Sequence, residues 1–252
     1  MDFSNSRQRA AFFEIHRDLP REGPGDGAST LRALALAAPL APAPRVLDVA
    51  CGPGAQTLDL AAAMPGASIV ALDLHRPYLD QLDRRAAARG LSGRITTTVG
   101  DMAAMDFEPA SFDLIWCEGA AYIMGLPAAL GDWKRLLKPG GKLALTEAVW
   151  LAPDPPAPVL ANWAEYPAMG DVATVRALFA ACGYELLGDF VLPKSAWWTD
   201  YYLPLEARVA EFENAFVDDR EARSVWREAR DEIDCYRRYS KYFGYSFFVA
   251  RI

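Results

Sequence analysis

The segment from Val46 to Thr57 constrains this chain more than any other. It reads Val-Leu-Asp-Val-Ala-Cys-Gly-Pro-Gly-Ala-Gln-Thr. Arg45 to Val49 is short, apolar and β-branched, as a buried strand should be. Glycines follow at once, and a helical pattern runs from Ala55 to about Met64. A strand that turns through glycine into a helix brings backbone close to a ligand, because Gly52 and Gly54 carry no Cβ. The free N–H groups of the helix start point the same way.

The rest of the chain repeats the alternation. Strands are expected at Ile69–Leu72, Ile95–Val99, Phe112–Trp116 and Lys142–Thr146. A helix over 77–89 has Pro in its first turn and Gly90 past its end. Another ends near Leu137, before a Lys138-Pro139-Gly140-Gly141 turn. Ser29 or Thr30 is expected to cap an earlier helix running through Ala38. Further on, 152–158 reads as loop, 172–181 as helix and 184–192 as a sixth strand. From about Leu205 to Tyr239 the chain is charged and helical, with Asp219–Arg223 and Asp234–Arg238 as i,i+4 pairs on a solvated face. The aromatic run 244–252 suits a last, buried strand. This rhythm predicts a doubly wound α/β fold with a parallel sheet between helices. The 252 residues, 23 % of them charged, suffice for one large core. One domain is expected over 1–252: an N-terminal lid or helix (1–44), a cofactor-binding core (45–150) and a substrate-side, sheet-completing segment (151–252).

Several function classes fall away. The formal net charge of −7 argues against a general nucleic-acid binder. No apolar run is long enough to span a membrane, and the opening Met-Asp-Phe-Ser-Asn-Ser-Arg does not read as a leader. Cys51, Cys117, Cys182 and Cys235 form no C-x-x-C pair, which fits a reducing cytoplasm. With only His16 and His75, no metal site is expected.

Asp73 ends the second strand, 21 residues after Gly52, where a carboxylate can accept ribose hydroxyls. To this point NAD fits as well as S-adenosylmethionine. The NAD pattern G-x-G-x-x-G/A, however, meets Thr57 at its third position. Asp48 precedes the turn, placed to orient it or to reach an ammonium group through a water. Gly100-Asp101-Met102 follows the third strand, where a carboxylate can accept an adenine amino group and a methionine can pack on the purine.

Together these segments resemble the class I S-adenosylmethionine-dependent methyltransferases. Asp48–Gly54 resemble that family's first motif, Asp73 its ribose acid and Asp101-Met102 its adenine contacts. Phe112–Glu118 resemble its fourth motif, and Leu137–Leu143 the turn before its fifth strand. Within the family, Trp116–Tyr122, Tyr242–Tyr245 and Gly23-Pro24-Gly25 resemble a group of largely uncharacterised bacterial enzymes acting on small molecules. The resemblance implies a Rossmann-like seven-stranded sheet with its last strand antiparallel, an N-terminal helical lid and a helical insertion before the last strand. It implies that S-adenosylmethionine lies against Asp48, Ala50, Cys51, Gly52, Gly54, Gln56, Asp73, Leu74, Gly100, Asp101, Met102, Cys117 and Glu118. No Pro-Pro-Tyr follows the fourth strand, which lowers nucleobase and glutamine targets.

The acceptor side is read from the sheet edge. Glu118 is the candidate base, cation anchor or methionine-pocket wall; the plainer role is cofactor binding or capping the next helix. Tyr122, Glu147, Trp150, Trp197, Trp198 and Tyr201 are candidates for the substrate pocket, with the aromatic group able to hold a cation or simply to form core. Phe12 and Phe13 suit a lid or a plain amphipathic contact. His75 suits a supporting or surface role, and Cys51 is a small residue chosen for fit. The expected partner is a small-molecule acceptor, without nucleic acid or membrane; the sequence does not set the oligomeric state. The alternatives are an NAD-linked oxidoreductase, for which Tyr236–Tyr239 offers no Tyr-x-x-x-Lys, a protein or RNA methyltransferase, or a non-catalytic cofactor-binding module working with a partner.

Overall fold

A computed structural model describes residues 4–252; Met1–Phe3, which open the stretch read for a leader and the N-terminal segment, lie outside that range. The sheet holds β1 (Arg45–Val49), β2 (Ser68–Asp73), β3 (Ile95–Val99), β4 (Phe112–Cys117), β5 (Leu137–Trp150), β6 (Glu185–Val191) and β7 (Phe243–Arg251), in the order β3-β2-β1-β4-β5-β7-β6. The first five strands are parallel. β7 is antiparallel to both β5 and β6. The expected seven-stranded, Rossmann-like sheet with an antiparallel last strand is what forms.

β1 is buried after Arg45 because both its faces are covered. Val46 joins Ile69, Leu114 and Phe247 in the core on one face, while Leu47 and Val49 join Ile115, Leu145 and Phe248 on the other. The helices that cover the faces are α1 (Ser6–Ile15), α2 (Gly27–Leu36), α3 (Ala55–Ala63), α4 (Arg76–Ala88), α5 (Leu126–Lys134), α6 (Ala157–Asn162), α7 (Val172–Ala181), α8 (Ser195–Trp197), α9 (Leu203–Phe212) and α10 (Arg220–Tyr239). A π turn over Trp198–Tyr202 joins α8 to α9.

Several local expectations change. Asp26, not Ser29 or Thr30, caps α2, its carboxylate accepting from Ser29 N at 2.6 Å. This frees the Thr30 hydroxyl for another partner. The Lys138–Gly141 turn lies inside β5 as a bulge, where pairing with β4 jumps from Phe112–Leu137 to Leu114–Lys142. The loop from Ala152 gives way at Ala157 to α6. The helical stretch 205–239 breaks at 213–219, because Asp219 starts a new helix by accepting from Ala222 N. Asp219 bonds Arg7 rather than serving Arg223, whose guanidinium reaches the Glu213 carbonyl. Asp234 likewise takes Arg237 and not Arg238.

The order of strands reverses between β1 and β4. A crevice opens at the carboxyl ends of such neighbouring parallel strands, which is where this fold binds ligands. α1 lies over that crevice and is tied to α10 through Asn5 and Gln8, both donating to Glu221, and through Arg7 to Asp219.

Candidate cofactor and acceptor cleft

A cleft of about 2010 Å³ occupies the switch point. Its floor is the turn after β1. Ala50 and Gly52 adopt φ of +54°, the left-handed region. A Cβ on Gly52 would meet the Glu22 side chain at 3.5 Å, so the glycine serves conformation and exposure of its backbone. Gly54 differs. Its Cβ would lie 2.3 Å from Leu82 Cδ1, so it is small to let α4 pack, not to admit a ligand.

Asp73 spans the turn. It accepts from Gly52 N and His75 N, each at 2.8 Å, one to each carboxylate oxygen. That leaves lone pairs free on both. Burial raises its pKa despite these bonds. Asp48 is fully buried beneath the turn and accepts from Thr57 Oγ1 at 2.5 Å and Gln56 Nε2 at 3.5 Å. Gln56 Nε2 also donates to the Cys51 carbonyl at 3.0 Å. Asp48 thus pins the start of α3 to β1, and Thr57, which breaks the NAD pattern, is its donor. Burial pushes the Asp48 carboxyl up to about 7. The Cys51 thiol is buried and its pKa raised, so it stays protonated.

Glu118 closes the opposite wall. It accepts from Arg21 Nη1 at 2.8 Å, Thr30 Oγ1 at 3.0 Å and Trp116 Nε1 at 2.9 Å. The Arg21 and Glu118 side chains are each only 5 % exposed. Arg21 Nε is buried on this wall with no partner among the described residues. Next to it, Glu22 Oε2 lies 2.8 Å from His16 Nδ1. Over the Asp73 side, Phe13 on α1 stacks on His75 with ring centroids 3.5 Å apart. Phe12 and Phe13 both line the cleft.

At the far end Trp197, which ends α8, and Tyr201 of the π turn line the cleft, while Trp198 turns away beneath Arg237. Tyr201 and Tyr202 donate to Glu232 Oε1 at 3.3 and 2.9 Å. Tyr122 lies at the rim, its ring centroid 5.5 Å from that of Tyr166. Glu147 sits behind this group and is raised to about 7 by burial. Trp150 packs away from the cleft wall, donating to the Met169 carbonyl.

Of the residues singled out in the sequence, Ala50, Cys51, Gly52, Gln56, Asp73, Leu74, Glu118, Tyr122, Trp197 and Tyr201 share the cleft wall. Asp48, Gly54 and Cys117 are buried behind it. Gly100, Asp101 and Met102 lie outside the wall itself; Asp101 accepts from Ala103 N, and the Met102 carbonyl from Trp133 Nε1. Sequence reasoning missed Arg21, Glu22, Thr30, Trp163, Tyr166, Glu232 and Tyr245. The Gly23–Gly25 loop was the available signal for the first two. Among the described residues, no group of three or more His, Cys, Asp or Glu side chains is arranged to hold a metal. No helix there is long and apolar enough to cross a membrane.

Comparison with known proteins agrees with the sequence reading. Residues 46–141 match the family described as a methyltransferase domain. Nocamycin O-methyltransferase of Saccharothrix syringae is 37 % identical over 121 residues, 47 % of this chain and 41 % of that protein. Demethylmenaquinone methyltransferase of Thermus thermophilus is 38 % identical over 117 residues, 46 % of this chain and 52 % of that protein. The matches thus span about half the length of these relatives or less. A SAM-dependent methyltransferase from Geobacter sulfurreducens, solved in complex with S-adenosyl-L-homocysteine, superposes with a TM-score of 0.81 at 22 % identity, over 96 % of this chain and 97 % of that one. The resemblance to class I methyltransferases is therefore borne out, in sequence over 46–141 and in fold over nearly the whole chain.

Proposed function

We propose that this chain is an S-adenosylmethionine-dependent methyltransferase that acts on a small-molecule acceptor. The observation that carries the reading is Asp73: a carboxylate fixed to the glycine turn by two backbone N–H groups, with lone pairs left over at the cleft. It suits the two hydroxyls of a ribose. Arg21 Nε, a buried donor without a partner among the described residues, suits the methionine carboxylate. Leu74 on the cleft wall would flank the adenine, with Asp101 and Met102 beyond that wall, and the exposed backbone of Gly52 would lie against the cofactor. The cofactor supplies a methyl group already activated by positive sulfur.

The protein's own work is then to orient and to exclude water. The segment 1–44 acts as a lid through Phe13 and the Arg21–Glu118 pair. The core 45–150 holds the cofactor, and 151–252 shapes the acceptor end, the three forming one unit. Glu118 already serves three donors, which favours an anchoring role over proton abstraction. The NAD reading is disfavoured because Thr57, where the third glycine would stand, is committed to Asp48. The four free cysteines fit a cytoplasmic setting.

The test is transfer from methyl-labelled S-adenosylmethionine to separated metabolite, protein and RNA fractions. Label is expected in the low-mass fraction, dependent on intact Asp73. Label confined to protein or RNA would overturn the small-molecule acceptor.

A further inference from the structure

At the acceptor end two carboxylates, Glu232 on the cleft wall and Glu147 buried behind it, form no salt bridge among the described residues. Glu232 on α10 lines the cleft, with only tyrosine hydroxyls on its Oε1. Burial raises its pKa, and His16, which would counter this when protonated, is itself held by Glu22. Glu147 is 2 % exposed. Its Oε1 accepts from Ala148 N at 3.1 Å, the Tyr166 hydroxyl lies close enough to favour its charged form, and its Oε2 makes no full hydrogen bond among the described residues. Burying a carboxylate in this state is costly unless something donates to it.

The two groups belong to one locality. Glu147 on β5 pairs with Ser246 on β7, next to Tyr245, which lines the cleft with Tyr122 and Glu232. Burial first, and then the charges of both carboxylates, push the phenols of Tyr122 and Tyr245 upward. Trp163, Trp197 and Tyr166 complete an aromatic wall around them. The cleft as a whole carries eight carboxylates against four guanidinium groups. An anionic acceptor would meet unpaired like charge here. A neutral alcohol would satisfy one lone pair and give a carboxylate no counter-charge. An ammonium group supplies N–H donors to carboxylates and a cation to the aromatic faces at once.

On the methyltransferase reading above, we propose that the acceptor is an amine that enters as its ammonium cation, is seated by Glu232 against the tyrosine and tryptophan wall with Glu147 buried behind it, and gives one N–H proton to the Glu232 carboxylate so that its freed lone pair takes the methyl group as S-adenosylhomocysteine leaves.

The experiment is calorimetric titration of the full chain saturated with S-adenosylhomocysteine, using phenethylamine and its neutral counterpart 2-phenylethanol. The amine is expected to bind roughly tenfold tighter, equivalent to about 1.4 kcal/mol. Glu232→Gln and Glu147→Gln are expected to erase most of that preference while still binding S-adenosylhomocysteine; Glu232→Asp, which keeps the charge, is expected to retain it. If S-adenosylhomocysteine binds and the two probes bind equally or not at all, the amine seat is wrong and the methyltransferase reading stands. If S-adenosylhomocysteine itself fails to bind, both are overturned.

Discussion

Replacing Arg21 with methionine keeps much of its bulk and removes its charge. The consequence follows from where the pair lies. Arg21 and Glu118 are each 5 % exposed and 2.8 Å apart, so water does not screen them. Removing the guanidinium strands a carboxylate whose remaining donors, Thr30 and Trp116, are neutral. Breaking one side of a buried pair costs about 3–5 kcal/mol. For a chain of this size that lowers the melting temperature by roughly 6–20 °C. Removing both charges should cost less than the sum, because the only carboxylate then left without Arg21 is the partly exposed Asp59, 3.4 Å from Nη2. The assay is urea unfolding of Arg21→Met, Glu118→Gln and the double variant. A coupling energy near about 2 kcal/mol or more is expected. Strict additivity, or a loss below about 1 kcal/mol for Arg21→Met, would refute the reasoning and leave the pair as an ornament of the cleft.

Three other outcomes are expected. Gly54→Ala places a Cβ 2.3 Å from Leu82 at a φ of +81° and should destabilise by about 2–4 kcal/mol in urea; Leu82→Ala in the same chain should recover part of it if packing is the cause. Asp73→Ala should weaken S-adenosylhomocysteine binding by about 1–3 kcal/mol, and an unchanged affinity would remove the ribose assignment. Glu147 is raised from 4.5 to about 7 in the folded state, so the unfolded chain loses that proton first. Its contribution is complete below the unfolded value and lost as pH rises through the folded one. Glu147→Gln should therefore flatten the fall in stability between about pH 5 and pH 8, and identical pH profiles would contradict the raised value.

The sheet and its glycine turn were legible because their signals are local. Asp48, Gly52 and Asp73 sit at fixed steps from apolar, β-branched runs, and a strand that enters a glycine turn fixes where such residues point. Arg21 was not legible, because its partner Glu118 lies 97 positions away and only folding brings them together. Glu232 looked like one more charge on a solvated helix; the tyrosines of the π turn, not its own neighbours, make it part of the cleft. The sequence spacing led to the right residue for the wrong reason at Gly54, where Leu82 rather than a ligand excludes the side chain. Asp219 and Asp234 show the limit of spacing rules on exposed helices, since capping and i,i+3 pairs took the places of the expected i,i+4 ones.

The most direct test of the central claim is calorimetric titration of the purified chain with S-adenosylhomocysteine, with NAD as the control. Micromolar binding of S-adenosylhomocysteine and none of NAD is expected. Binding of NAD alone, or of neither, would contradict the account.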